Sequence, residues 1–148
     1  VVQTQTAAQR QDQVVSEFSQ ILDWEEKYKK IIELGKSLPD LEESLKTEKN
    51  KVKGCQSQVW LQADFKEGRV YFRGDSDALI VKGLVALLLK IYSGGTPEEI
   101  MALEPRFVEE IGFATHLSPS RSNGLFSMIK QIKLFAMALH MMQKANQH

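Results

Sequence analysis

The chain has 148 residues, 43% of them hydrophobic and 26% charged, which is the make-up of one ordinary soluble domain and excludes disorder as the main state. Lysine plus arginine and aspartate plus glutamate number 19 each, so bulk attraction to nucleic acid is excluded as the dominant interaction. A single cysteine, Cys55, excludes a disulfide framework within the chain and fits a reducing compartment.

Charge is unevenly placed. Residues 111–148 contain no acid and carry Arg121, Lys130, Lys133 and Lys144; they read as a solvated helix face or as a face for an acidic partner. The polar start, Gln3 to Gln13, shows no secretory signal. A first residue other than Met suggests a processed or longer chain. The longest apolar stretch, Ala78 to Tyr92, is interrupted by Lys82, Gly83 and Lys90 and is too short and too charged to span a bilayer. A cytoplasmic protein without membrane or nucleic-acid partners is expected.

Residues 1–13 lack periodicity and are expected to be a flexible tail. Val14, Phe18, Ile21 and Leu22 predict a short first helix. Asp23 with Glu26 reads as a capping pair for a second helix, with Trp24, Tyr28, Ile31 and Ile32 on one face. Gly35 is its expected stop. After Leu38-Pro39 a long connection follows, pinned by Leu41 and Leu45. From Val59 the period becomes two, and the runs Val59–Phe65 and Arg69–Arg73 around Lys66-Glu67-Gly68 predict a β-hairpin. Lys51 to Gly54 is a candidate third strand.

Asp75 or Ser76 is expected to cap a core helix that runs to about Tyr92 and is apolar nearly all round. Asp77 adds negative charge near its start. Thr96-Pro97-Glu98-Glu99 is a capping box with proline in the first turn. Short helices follow near Pro97–Leu103 and Arg106–Ile111. Ser118-Pro119 opens the last helix. The order predicts an α+β fold: a small antiparallel sheet of about three strands packed with several helices. The single domain is expected over residues 14–142, with residues 143–148 as a C-terminal tail.

Chemistry-bearing motifs are few. His116, His140 and His148 show no metal-ligand spacing, and no phosphate loop or G-x-S-x-G elbow occurs. The C-terminal methionines, including Met128, Met137, Met141 and Met142, read as core and frayed end. A lone cysteine is usually an apolar filler. Cys55, however, lies between Gly54 and Gln56-Ser57 in a turn-like context, with Lys46, Lys49, Lys51 and Lys53 upstream to favour its thiolate. His116-Leu117-Ser118-Pro119-Ser120-Arg121 marks a helix start that favours anions; its plainer reading is a capped helix with an exposed arginine.

Several blocks resemble the SufE family. They are Trp24–Tyr28, Ile31–Gly35, Leu38-Pro39, Gly54-Cys55-Gln56-Ser57-Gln58-Val59-Trp60, Gly74–Ala78 with Ile80–Leu84, and His116–Arg121 with Gly124-Leu125, in order over residues 15–140. The resemblance implies a sulfur-acceptor protein of iron–sulfur cluster assembly. Its cysteine, here Cys55, takes persulfide sulfur from a SufS-type cysteine desulfurase, stimulates that enzyme, and passes sulfur to a SufBCD-type scaffold. Such a protein is an activator rather than an enzyme and holds no cofactor or metal, since pyridoxal phosphate belongs to the desulfurase. Gly54, Gln56, Ser57, Asp77, His116 and Arg121 are the expected sulfur-site and partner-contact residues, in a monomer or homodimer. The sulfur is expected to point into a small apolar-walled pocket while Lys53 and Gln56 stay exposed. Two other classes remain: a cysteine hydrolase pairing Cys55 with His116, and a helical interaction module with an inert cysteine.

Overall fold

The computed structural model describes residues 5–146. Helix α1 spans Ala7–Ser19, earlier than periodicity indicates, because Thr6 and Gln9 form a reciprocal capping box. Ala7, Gln11, Val14 and Phe18 are its buried stripe. Residues 7–13 therefore belong to a helix rather than to a tail, while residues 1–4 of the expected tail lie outside the described residues. Leu22 lies beyond the helix and is exposed.

Helix α2 covers Trp24–Ser37, with the Asp23 carboxylate accepting from the Glu26 N–H at 2.8 Å. Gly35 does not end it. Glycine there allows α2 to cross the next long helix closely: a Cβ on Gly35 would stand 2.7 Å from the Gly83 nitrogen. The chain leaves α2 extended at Leu38, as the following Pro39 requires.

Strands β1 (Val59–Lys66) and β2 (Arg69–Ser76) form a two-stranded antiparallel sheet in which Lys66 opposes Arg69. Glu67 and Gly68 both take positive φ at the tight turn. The expected third strand contracts to a single bridge between Lys51 and Trp60, flanked by Val52 N–H to Val59 O and Leu61 N–H to Asn50 O, both 2.8 Å. Positive φ at Gly54 turns the chain away before the pairing can lengthen.

Helix α3 (Leu79–Tyr92) packs on both α2 and β2. Its N-cap is Ala78 with no side-chain cap, because Asp75 and Ser76 lie in β2. Asp75, only 3% exposed, turns into the protein instead. It accepts from Leu41 N–H at 2.9 Å and faces Lys82 at 3.2 Å. Helices α4 (Pro97–Ala102), α5 (Phe107–Ile111) and α6 (Phe113–His116) are short. The Thr96–Glu99 capping box forms as its sequence predicts.

Helix α7 (Pro119–Ala145) starts at the Ser118 cap and continues into the expected C-terminal tail; residues 147–148 of that tail lie outside the described residues. By length and composition α7 could cross a membrane. In this fold Leu125, Met128, Ile129, Ile132 and Ala136 are buried in the core.

Candidate functional site

Residues 38–58 form a strap from α2 to β1, and its fastenings decide where Cys55 sits. Leu41 is buried and bonded to Asp75. Lys46 pairs with Asp75 at 3.6 Å and lies over the Trp60 ring. Val52 is buried beside β1. Past the cysteine, the Asp77 carboxylate accepts from Gln58 N–H at 3.0 Å, and Asp77 N–H donates to the Gln58 carbonyl at 3.3 Å. Asp77 thus clamps the exit of the loop.

Between these fastenings, Gly54 adopts φ +94° and lies against α7, where an added Cβ would stand 2.6 Å from Ser127 Oγ. The positive φ favours glycine, and a side chain here would fit only if Ser127 moved aside. The turn carries Cys55 onto a bare patch of α7 at Gly124. The thiol donates to the Gly124 carbonyl at 3.6 Å, and a Cβ on Gly124 would be 3.4 Å from Sγ. Cys55 is half-buried while Lys53, Gly54 and Gln56 are exposed. The sulfur is therefore sheltered, though not enclosed.

Cys55, Gln56 and Ser57 form one rim of a cleft of about 350 Å³. Val81, Leu84 and Met128 give it an apolar wall, and Ser118, Ser120 and Arg121 at the start of α7 a polar one. The Ser118 side chain accepts from Arg121 N–H at 3.4 Å, which fixes the entry to the helix. The arrangement offers a sulfur nucleophile, room beside it, and a cationic residue, Arg121, lining the same concavity.

His116 is held elsewhere. Its ring stacks on Trp24 with centroids 4.3 Å apart, Nδ1 lies 2.9 Å from Thr115 Oγ1, and its carbonyl accepts from Tyr28 at 2.7 Å. It does not line the cleft. Extended Leu117, which caps α6, turns the chain between His116 and α7, so only Arg121 of the pair shares the cleft with Cys55. Cys55 and His116 thus share no hydrogen bond among the described residues: the thiol donates to Gly124, and the imidazole is engaged by Thr115, Gly112 and Trp24.

The lysines do not act as their sequence proximity suggests. Lys46 is committed to Glu43 and Asp75, while Lys49, Lys51 and Lys53 line a different cleft. Burial alone raises the Cys55 thiol above its ordinary value, because removal from water disfavours the thiolate. Among the described residues no group of three His, Cys, Asp or Glu side chains is placed to hold a metal ion.

Gly124, Val81, Leu84, Met128 and Ser120 escape a reading based on reactive side chains. A signal existed in the spacing. Arg121, Gly124 and Met128 stand at i, i+3 and i+7 on one face of α7, and a glycine in that stripe exposes backbone to a neighbour.

Residues 12–136 match the family described as SufE: Fe-S metabolism associated domain. An uncharacterized SufE-like protein of Rhizobium etli is 48% identical over 127 residues, covering 82% of this chain and 86% of that protein. Another, from Rhizobium meliloti, is 45% identical over 127 residues, covering 82% and 91%. The fold is similar to the solution structure of a hypothetical protein from Thermus thermophilus. The TM-score is 0.73 at 22% identity, covering 87% of this chain and 94% of that one.

Proposed function

The chain belongs to the SufE family, whose domain is associated with iron–sulfur metabolism, and from that premise we propose that Cys55 is a sulfur acceptor serving a cysteine desulfurase. The observation that carries this reading is the placement of the sole cysteine. It stands on a glycine-hinged turn, half-buried against Gly124, at the rim of a cleft with an apolar wall and Arg121.

The transfer balances without an added oxidant or reductant. The Cys55 thiol loses its proton to solvent, and its thiolate attacks the outer sulfur of the donor's cysteine persulfide. A bond forms between Sγ and that sulfur as the donor S–S bond breaks. The donor cysteine leaves as a thiolate and takes up a proton. Attack on sulfur is controlled by access as well as by thiolate fraction. Gly124 and the apolar wall shelter the product persulfide from stray thiols. Arg121 supplies positive charge for the persulfide anion in the same cleft.

The same shelter slows the free protein as a nucleophile, since burial raises the thiol. The donor offsets this by binding the form in which the turn has swung outward, which requires differential affinity for that form. Gly54 lowers the cost of the swing. Pyridoxal phosphate chemistry then belongs to the donor, and onward delivery to a SufBCD-type scaffold completes the role. Mixing with desulfurase and free cysteine, followed by intact-protein mass spectrometry, tests the reading. One added sulfur on wild type and none on Cys55→Ser is expected; equal stimulation of the desulfurase by both proteins would overturn it.

A further inference from the structure

A second cleft, of about 450 Å³, shares the Cys55 turn. Its walls are the strap, with Glu48, Lys49, Lys51 and Lys53, and the face of α7 bearing Ser127, Lys130 and Leu134. Gly54 packs against Ser127, so the turn divides the two clefts: Lys53 lines this one and Cys55 the other.

Lys29, Lys30, Lys46, Lys82 and Lys90 all sit in ion pairs. Lys49, Lys51, Lys53 and Lys130 are in none among the described residues. What sets this cleft apart is the gathering of its charge: Lys27, Lys36, Lys66, Lys133 and Lys144 are also in no ion pair among the described residues, but none of them lines it. Four lysines meet one glutamate in this concavity, on a chain whose net charge is zero. Gathering four like charges around a single carboxylate is unfavourable, and an acidic occupant reverses the sign of that interaction. Leu134, 44% exposed, adds an apolar foothold. No aromatic side chain lines the cleft, so it lacks the stacking surface on which single-stranded nucleic acids are held.

We infer that this cleft docks an acidic segment of the sulfur donor, one carrying several carboxylates and an apolar side chain to cover Leu134. The inference rests on the reading of Cys55 as a sulfur acceptor, because it names the surface by which the donor is held. A segment seated between the strap and α7 stands next to the thiol. It also touches Ser127, against which Gly54 packs, and this gives it leverage on the turn.

The test measures binding of a SufS-type desulfurase whose own active cysteine has been replaced, so that docking is read without chemistry. The variant Lys49→Gln/Lys51→Gln/Lys53→Gln/Lys130→Gln is compared with Lys36→Gln/Lys66→Gln/Lys144→Gln, which removes charge outside the cleft. Exposed ion pairs contribute modestly each, so losing four is expected to weaken binding about tenfold or more, with the control within about twofold of wild type. Wild-type affinity should fall on raising salt from about 50 to about 300 mM, and that of the cleft variant far less. Circular dichroism confirms that both variants fold. Wild-type affinity and salt dependence in the cleft variant would overturn the docking assignment, while sulfur uptake by wild type would leave the acceptor reading standing. Lysine-dependent donor binding without any sulfur uptake would do the reverse. Tight binding of a single-stranded oligonucleotide, lost in the same variant, would overturn the assignment to a protein partner.

Discussion

Replacing Gly54 by alanine perturbs the hinge that holds Cys55 inward, and its cost has two separable parts. The residue sits at φ +94°, where an L side chain costs about 1–2 kcal/mol. The new methyl would also stand 2.6 Å from Ser127 Oγ and 3.4 Å from its Cβ, so the serine must rotate or the turn must lift. Both penalties fall on the inward form of the turn and are absent once it releases. A shift of about 1–2 kcal/mol raises the population of the released form by roughly 5–30-fold. The alkylation rate of Cys55 by iodoacetamide should rise by a comparable factor, limited by the exposure the thiol already has. Any loss of global stability should lower the melting temperature by only about 2–4 °C per kcal/mol. Adding Ser127→Gly removes the close contact and leaves the backbone strain, so it should return part of the effect. Gly54→Asn, which tolerates positive φ better, should show a smaller backbone share. An alkylation rate unchanged from wild type, or a lower melting temperature with no change in alkylation, would refute the hinge argument.

Three further outcomes follow from the geometry. The pH–rate profile of Cys55 alkylation in the free protein should have its midpoint above the ordinary thiol value of about 8.5, because burial raises it; a midpoint below that value would mean that neighbouring cations outweigh burial. For Asp75, burial opposes ionisation, but N–H groups of Leu41 and Ser76 and the Lys82 ammonium outweigh it and lower the carboxyl's pKa. Its contribution to stability is thus present above the ordinary carboxylate range near about pH 4 and is lost as pH falls through its lower native value; Asp75→Asn should flatten that acid limb in pH-dependent melts and loosen the strap, whereas an identical limb in both proteins would contradict the assignment. In Gly83→Ala a methyl would stand 2.1 Å from the Ile31 carbonyl oxygen, forcing α2 off α3 at about 3 kcal/mol or more and lowering the melting temperature by roughly 6–12 °C; an unchanged melt would show that the helices do not cross there.

Much of this fold was legible because local rules and tertiary packing agree. The Thr96–Glu99 box, the Ser118-Pro119 helix start and the alternation through the hairpin each form as written. Where the reading failed, a residue had been recruited for a long-range task. Gln11 interrupts the apolar stripe of α1, yet it is buried and its side-chain oxygen accepts from Phe107 N–H at 3.2 Å, so periodicity alone hid the helix start. Asp75 resembles a cap, but it lies in β2 and turns inward to bind the strap at Leu41. Gly35 resembles a stop, but it is a contact surface for Gly83. At the site, Cys55 and Arg121 could be read from residue type. Gly124 could not, since its value lies in the side chain it lacks and in a partner 69 residues away. His116 stands only five positions before Arg121, yet the bend at Leu117 assigns it to Trp24.

The role proposed for Cys55 requires it to take sulfur from a protein persulfide. Intact-mass spectrometry of the chain after incubation with a cysteine desulfurase and free cysteine tests that directly, with Cys55→Ser and an omission of cysteine as controls. One added sulfur atom is expected on the wild-type protein, localised to the peptide containing Cys55 and removed by a thiol reductant. No added sulfur on a fully folded wild-type chain, or an equal gain by Cys55→Ser, would contradict it.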